Sequence, residues 1–227
     1  MSRYRHEYKY LLDPAAEGIL RVKAGAVLMP DPHVGANGTY LVQSAYFDDA
    51  EDSCLRENLS GTDPRSKFRI RYYNRDTGLI QLEKKSKNHG MCLKESCAIT
   101  REECETFLRG ETPAVTPQMD EIKQRLFIET RLRGLRPVCI VAYERIPWIY
   151  PGGNVRITFD RKLASSRDLG RFLTGDYLKR PVWPLGESLL EVKWDEVLPR
   201  HIREALQMDS LEWTAFSKYY MCRMIHM

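Results

Sequence analysis

The segment Lys67-Phe68-Arg69-Ile70-Arg71 carries a basic residue at every second position. In an extended strand this spacing sets Lys67, Arg69 and Arg71 on one face and Phe68, Ile70 and Tyr72 on the other. Two guanidinium groups side by side are bidentate binders of phosphate or carboxylate oxygens. After a polar break ending in Gly78, Leu79, Ile80 and Leu82 restore the apolar signal, while Gln81, Glu83, Lys85 and Lys87 share a face. The pattern recurs along the chain. Val155, Ile157 and Phe159 oppose Arg156, Thr158 and Asp160, and Leu190, Val192 and Trp194 oppose Glu191, Lys193 and Asp195. Arg5, Glu7 and Lys9 share a face, as do Cys92, Lys94 and Ser96.

A sheet with one solvated side also alternates. Such a face, however, mixes Thr, Ser, Gln, Glu and Lys loosely, whereas here arginine recurs within strands. The other reading is a closed sheet with its polar face inward. A barrel of about eight strands has an interior wide enough for side chains or one small ligand. Buried cations are costly unless an anion meets them, and a chain of phosphates meets many at once. The sparse glutamates would then hold a divalent cation that bridges phosphate oxygens.

The elements that must position these residues read as follows. Strands are predicted at residues 4–12, 39–49, the hairpin 66–87, 91–99, 137–146, 154–160 and 188–197. A helix over 13–28 starts with Asp13 as N-cap and Pro14 at the first helical position. Residues 49–58 form a short helical turn. Thr100 with Glu103 makes a capping box for a helix that stops at Gly110. A second helix runs from about Pro117, capped by Thr116, to Gly134, and the segments 198–207 and 214–225 read as helical. No internal repeat, low-complexity tract or linker interrupts the pattern, so residues 1–227 are expected to form one α+β domain on a large antiparallel sheet.

Composition excludes several classes. At 227 residues, with 43% hydrophobic and 29% charged residues, the chain is an ordinary globular sequence able to bury a substantial core. A net charge of +4 is too mild for bulk nucleic-acid coating, so a strong positive field must come from local arrangement. The six cysteines form no C-x-x-C pair and read as reduced, partly buried thiols; the five histidines show no zinc spacing. No leader-like or membrane-length apolar run is present, which sets a cytoplasmic expectation.

In their order, "HEYKYLL", "AYFDD", "KFRIRYYN", "LEKKSK", "AYERIPW", "VRITFD", "LLEVKW" and "FSKYY" resemble the polyphosphate polymerase domain of the vacuolar transporter chaperone (VTC) type. That family lies within the triphosphate tunnel metalloenzyme superfamily, whose members include CYTH-like proteins. The resemblance spans nearly the whole chain. It implies an antiparallel eight-stranded β-barrel tunnel with peripheral helices and a C-terminal closing helix, in which ATP and polyphosphate bind. Carried over residue by residue, Arg69, Arg71, Lys85, Arg145 and Arg156 would be catalytic. Lys9, Lys94, Tyr143, Ser217 and Lys218 would contact substrate, and Glu191 would hold manganese or magnesium, with Glu7 and Glu83 as rival ligands. The superfamily opens with E-x-E-x-K, whereas here Arg5 stands at the first acidic position. That removes a metal ligand and favours the polymerase branch over two-metal triphosphatases and cyclases. In eukaryotic relatives the domain is joined to a sensing domain and a membrane domain, and neither is expected in this sequence.

The mechanism implied is phosphoryl transfer by alignment and charge stabilisation. It needs no general base, which agrees with the lack of any Ser/His/Asp or Cys/His arrangement. Hydrolysis of triphosphate or polyphosphate, and non-catalytic binding of polyphosphate, are the alternatives. Nucleic acid is not an expected partner, because base-stacking signatures are absent.

Overall fold

A computed structural model of the chain describes residues 4–35, 37–112, 115–184 and 186–227. In chain order the strands are β1 (His6–Leu12), β2 (Met29–Pro30), β3 (Tyr40–Asp48), β4 (Arg65–Tyr73), β5 (Asp76–Asn88), β6 (Met91–Ile99), β7 (Arg136–Tyr150), β8 (Val155–Ser166), β9 (Arg180–Pro181) and β10 (Ser188–Trp194). The helices are α1 (Pro14–Val27), α2 (Ser53–Leu59), α3 (Arg101–Leu108), α4 (Glu121–Arg133), α5 (Arg200–Ala205) and α6 (Lys218–Met224).

The eight longer strands form one antiparallel sheet in the order β1-β10-β8-β7-β3-β4-β5-β6, with β2 added to β7 and β9 to β8. Its two ends meet. Arg5 and Cys92 exchange backbone hydrogen bonds of 2.9 and 3.0 Å, so the curled sheet closes into a tunnel at the β1/β6 seam. The β4–β5 and β5–β6 hairpins turn on Asn74-Arg75 and His89-Gly90, all four at positive φ. Such turns match the right-handed twist of the strands they join.

The apolar faces point outward and are covered by helices. Phe68, Ile70, Tyr72, Ile80 and Leu82 pack against Phe107 of α3 and Leu126 and Phe127 of α4. Ile157, Phe159, Leu190 and Val192 pack against Leu20 and Ala24 of α1 and Ile202 of α5. Burial of each large side chain contributes about 1.5–3 kcal/mol. A third cluster joins Tyr46, Val141 and Leu163 to Leu55 of α2 and to Tyr219 and Cys222 of α6. The first two cores therefore lie around the barrel, whereas the third sits on inward strand faces, where α6 plugs one side of a bore otherwise lined by polar residues.

Local sequence explains most boundaries. Asp13 Oδ1 accepts from Ala16 N at 2.8 Å to start α1, and the Thr100–Glu103 capping box starts α3. The second predicted helix begins later than Thr116 and Pro117 suggest. Asp120 caps it by accepting from Ile122 N at 2.9 Å, because Thr116 and Pro117 belong to the turn before it. β7 is longer than predicted, running past Pro147 to Tyr150. The missing N–H of Pro147 is tolerated because the β3 ladder has already ended at the Tyr40/Arg145 pair. β10 ends at Trp194, and the helical parts of the last two segments shrink to α5 and α6.

Candidate functional site

Register assembles the bore. On one wall β4 supplies Lys67, Arg69 and Arg71, and β5 sets Lys85 opposite Lys67 and Glu83 opposite Arg69. Lys94 of β6 lies opposite Lys85. Arg69 Nε donates to Glu83 Oε2 at 2.6 Å, and its Nη1 donates to the Tyr46 hydroxyl at 2.7 Å. Arg71 Nε donates to Ser44 Oγ at 2.9 Å and its Nη2 to the Tyr143 hydroxyl at 3.3 Å. The pair of arginines is thus held by neighbours on β3, β5 and β7 rather than left to swing.

The facing wall is a denser charge lattice. Arg145 of β7 grips Asp160 of β8 with two bonds, 2.6 and 2.7 Å. Glu191 of β10 accepts from Lys193 at 2.8 Å, and from Lys218 of α6 at 2.6 Å. Lys218 also meets Asp160 at 2.6 Å. Glu7 of β1 accepts from Lys85 at 2.9 Å and meets Lys193 at 3.2 Å and Lys9 at 3.4 Å. α6 is positioned for this by Ser217, whose hydroxyl accepts from Tyr220 N at 3.3 Å as its N-cap. Tyr219 donates to the buried Asp48 at 2.5 Å, and Asp48 also accepts from the first turn of α2.

Two cavities open on these residues. The inner one, about 60 Å³, is bounded by Lys9, Arg69, Arg71, Lys85, Tyr143, Arg145, Glu191, Lys193 and Lys218. The outer one, about 310 Å³, is a mouth reaching Glu57, Arg65, Lys87 and Trp213. Lys9, Lys67, Lys85 and Ser217 line both, so they form the neck.

Cations outnumber carboxylates along the bore, and the carboxylates respond. Burial works to raise Glu7, Glu83 and Glu191, but their lysine and arginine neighbours overcome it and hold all three below the usual carboxylate range. Asp160 is depressed in the same way by Arg145 and Lys218. Burial alone would lower Lys85 and Lys218, yet Glu7 for the first, and Asp160 with Glu191 for the second, push both above the ordinary lysine value. Lys67 goes the other way. Burial, then the charges of Lys85, Lys9 and Arg69, bring its ammonium down to about 7.

Of the residues anticipated from sequence, Lys9, Arg69, Arg71, Lys85, Tyr143, Arg145, Glu191, Ser217 and Lys218 come together around the inner cavity. Lys94 lines neither cavity; it is half exposed and drawn to Glu83 at 3.1 Å. Arg156 shares the inward strand face of Asp160 but is drawn aside by Asp31 at 2.9 Å and the Tyr40 hydroxyl at 2.8 Å. Lys67, Lys193, Asp160 and Tyr46 were not singled out. Strand alternation pointed to all three charged residues, Lys67 and Lys193 two positions from a named residue and Asp160 four from Arg156. Tyr46 carried no polar signal in an apolar run.

The chemistry of the donor set decides how a divalent ion could be held. Among the described residues no group of three or more His, Cys, Asp or Glu is arranged as a metal cluster. Glu191 and Glu7 nevertheless face a common cation, the Lys193 ammonium. Magnesium-like ions take one or two carboxylates and draw their other ligands from substrate phosphates and water. The pair fits an ion of that kind.

Comparisons with known proteins agree with this architecture. A candidate adenylyl cyclase of Hippeastrum, described as having a dominant triphosphatase activity, superposes with a TM-score of 0.59 at 14% identity, covering 99% of this chain and 96% of its own. A candidate adenylate cyclase of Bacillus halodurans gives 0.55 at 14% identity, with 94% and 93% covered. A chain of the Schizosaccharomyces pombe Mediator head module gives 0.51 at 10% identity, with 93% and 98% covered. These likenesses establish the tunnel fold alone. No curated protein sequence matches the chain. The VTC domain profile matches residues 4–226, and the chain accordingly belongs to the VTC domain family.

Proposed function

We propose that this chain is a polyphosphate polymerase domain that transfers the terminal phosphate of ATP to phosphate or to the end of a polyphosphate chain. The observation that carries the reading is the excess of buried cations in a closed bore. Arg69, Arg71, Lys67, Lys85, Lys9, Arg145, Lys193 and Lys218 converge where Glu7, Glu83, Asp160 and Glu191 cannot neutralise them all. Such an arrangement calls for a polyanion.

In the reaction, an acceptor phosphate oxygen bonds to the γ-phosphorus as its bond to the β-bridging oxygen breaks, and ADP leaves. Little covalent help is needed, since the transition state is stabilised by fixed charge. Arg69 and Arg71 hold the transferred group, pre-set by Glu83, Ser44 and Tyr46. Arg145 and Lys218, anchored on Asp160, extend the same field from the facing wall. Glu191, with Glu7 beside it, would hold manganese or magnesium, which when bound neutralises charge on the leaving diphosphate. Arg5 supports polymerase over two-metal hydrolase. It occupies the first acidic position of the superfamily pattern and turns to Asp195 at 2.8 Å. Free thiols at all six cysteines suit a cytoplasmic setting.

The test is incubation of purified protein with ATP and manganese, with products resolved on a gel stained for polyphosphate. A ladder that vanishes in Arg69→Ala is expected. Orthophosphate without a ladder would replace the polymerase by a hydrolase, and intact ATP across metals and primers would leave a polyphosphate-binding protein.

A further inference from the structure

Lys67 stands apart from the other tunnel cations. Arg69, Arg71, Lys85, Lys94, Lys9, Arg145, Lys193 and Lys218 each meet a carboxylate at 3.8 Å or less. Among the described residues Lys67 makes no ion pair. Its Nζ reaches the Ser217 hydroxyl at 3.4 Å and lies 5.9 and 5.4 Å from the ring centres of Tyr46 and Tyr219.

The groups that face it are cations or neutral. The nearby carboxylates are Glu7 of β1, Glu57 of α2 at the outer cavity and Asp48 of β3, which is taken up by Tyr219 and the first turn of α2. β5 sets Lys85 directly opposite, β1 sends Lys9, and Arg69 is the next inward residue of β4 itself. β3 contributes Tyr46, α6 Ser217 and Tyr219, and α2 and β7 the thiols of Cys54 and Cys139, whose pKa values burial raises. Glu7, the carboxylate that Lys9 and Lys85 share, is engaged by them rather than by Lys67. Lys67 also lines both cavities, so a phosphate chain running from the inner one to the mouth passes it.

We propose that Lys67 is a phosphate contact at the neck and that it takes up a proton from solvent as the phosphate chain arrives, coupling anion binding to protonation. The inference rests on the phosphate-tunnel reading above and adds to it a linkage that reading does not require. In the free tunnel, burial and three neighbouring cations favour the neutral amine, with the balance near pH 7. A phosphate between Lys9, Lys67 and Lys85 reverses the local field and favours the ammonium. The bound state then holds one more proton than the free state at any pH above about 7 and below the raised bound value. Affinity therefore rises as pH falls through that window and levels off below about 7, where the free tunnel is already protonated.

Calorimetric titration with long-chain polyphosphate, whose interior groups do not titrate near neutrality, tests this directly. Run at pH 8 in two buffers of different ionisation enthalpy, wild type is expected to take up about one proton per occupied tunnel, with affinity falling roughly tenfold per pH unit above neutrality. Lys67→Arg keeps the charge permanently, so it is expected to bind at pH 8 at least as well as wild type with near-zero uptake and a flat pH profile. Lys67→Met, uncharged and of similar length, should bind more weakly and also lose the uptake. Wild-type binding without proton uptake, or uptake that persists in both variants, overturns the role of Lys67 while sparing the tunnel. Absence of polyphosphate binding at every pH overturns both.

Discussion

Glu83 shows how closely the site's charges are interlocked. Its side chain is fully buried, with Arg69, Arg71 and Lys94 around it. Removing Arg69 outright strands that carboxylate, and stranding one partner of a buried pair costs about 3–5 kcal/mol. Arg69→Lys is the cleaner probe. It preserves charge but not the fork, and a drop of about 10²–10³ in chain synthesis with little change in melting temperature is the expected outcome, read from initial rates beside thermal unfolding. Glu191→Gln separates catalysis from binding. It removes negative charge from the bore, so polyphosphate affinity should hold or rise while synthesis falls at least a hundredfold. Parallel loss of both would contradict the metal role. At this scale the sequence was most readable where strand alternation placed charges two apart, as at Arg69 and Arg71. It was least readable where a partner lay on a distant strand. Nothing local says that Asp31 draws Arg156 aside, or that Lys218 inserts between Asp160 and Glu191.

α6 is short, and its own hydrogen bonds could not keep it in place. It is tied down from outside. Tyr219 bonds to Asp48, Arg223 pairs with Asp52 at 2.9 Å, and the Ser165 hydroxyl donates to Cys222 O at 3.0 Å. Asp48 serves α2 and α6 at once, so the two helices stand or fall together. Tyr219→Phe should lower stability by about 1.5–3 kcal/mol, since it removes a hydrogen bond to a charged acceptor. If α6 positions Lys218 as described, the same variant also weakens polyphosphate binding. Unchanged binding would show that α6 only packs. Sequence reading found the caps of α1 and α3 because those residues act over three positions. It misplaced the start of α4 because Thr116 and Asp120 are both good caps, and packing of Ile122 and Leu126 against the sheet decides between them.

The whole molecule is a barrel with most of its apolar packing outside and its charge within, and pH tests that arrangement. Glu7, Glu83, Asp160 and Glu191 all have folded values below their ordinary ones. Their contribution is therefore fully present above about pH 4, where unfolded carboxylates ionise, and is lost as pH falls through the depressed values. Thermal unfolding without ligand should vary little with these groups from pH 7 to 5 and drop steeply below about 4. A fall already under way near pH 6 would point to other groups. Added polyphosphate should raise the melting temperature by mass action, and less so at high salt. The inward polar face was legible from alternation alone. Closure was anticipated with it, but the place of the seam was not, because the Arg5–Cys92 contact uses backbone atoms that any sequence could offer.

The strand order also sets a timetable. β1 pairs with β10, far along the chain, from His6 against Trp194 to Leu12 against Ser188. Hairpins such as β4–β5 can zip as they emerge, but β1 must wait for β10, and pairings so distant in sequence make folding slow. A nascent chain halted before Ser188 keeps β1 unpaired and the β8 edge open, a state suited to aggregation or to capture by chaperones. The lysine that bridges Asp160 and Glu191 comes later still. The tunnel is thus sealed only once β10 has been made, and its charges are balanced only after its walls exist.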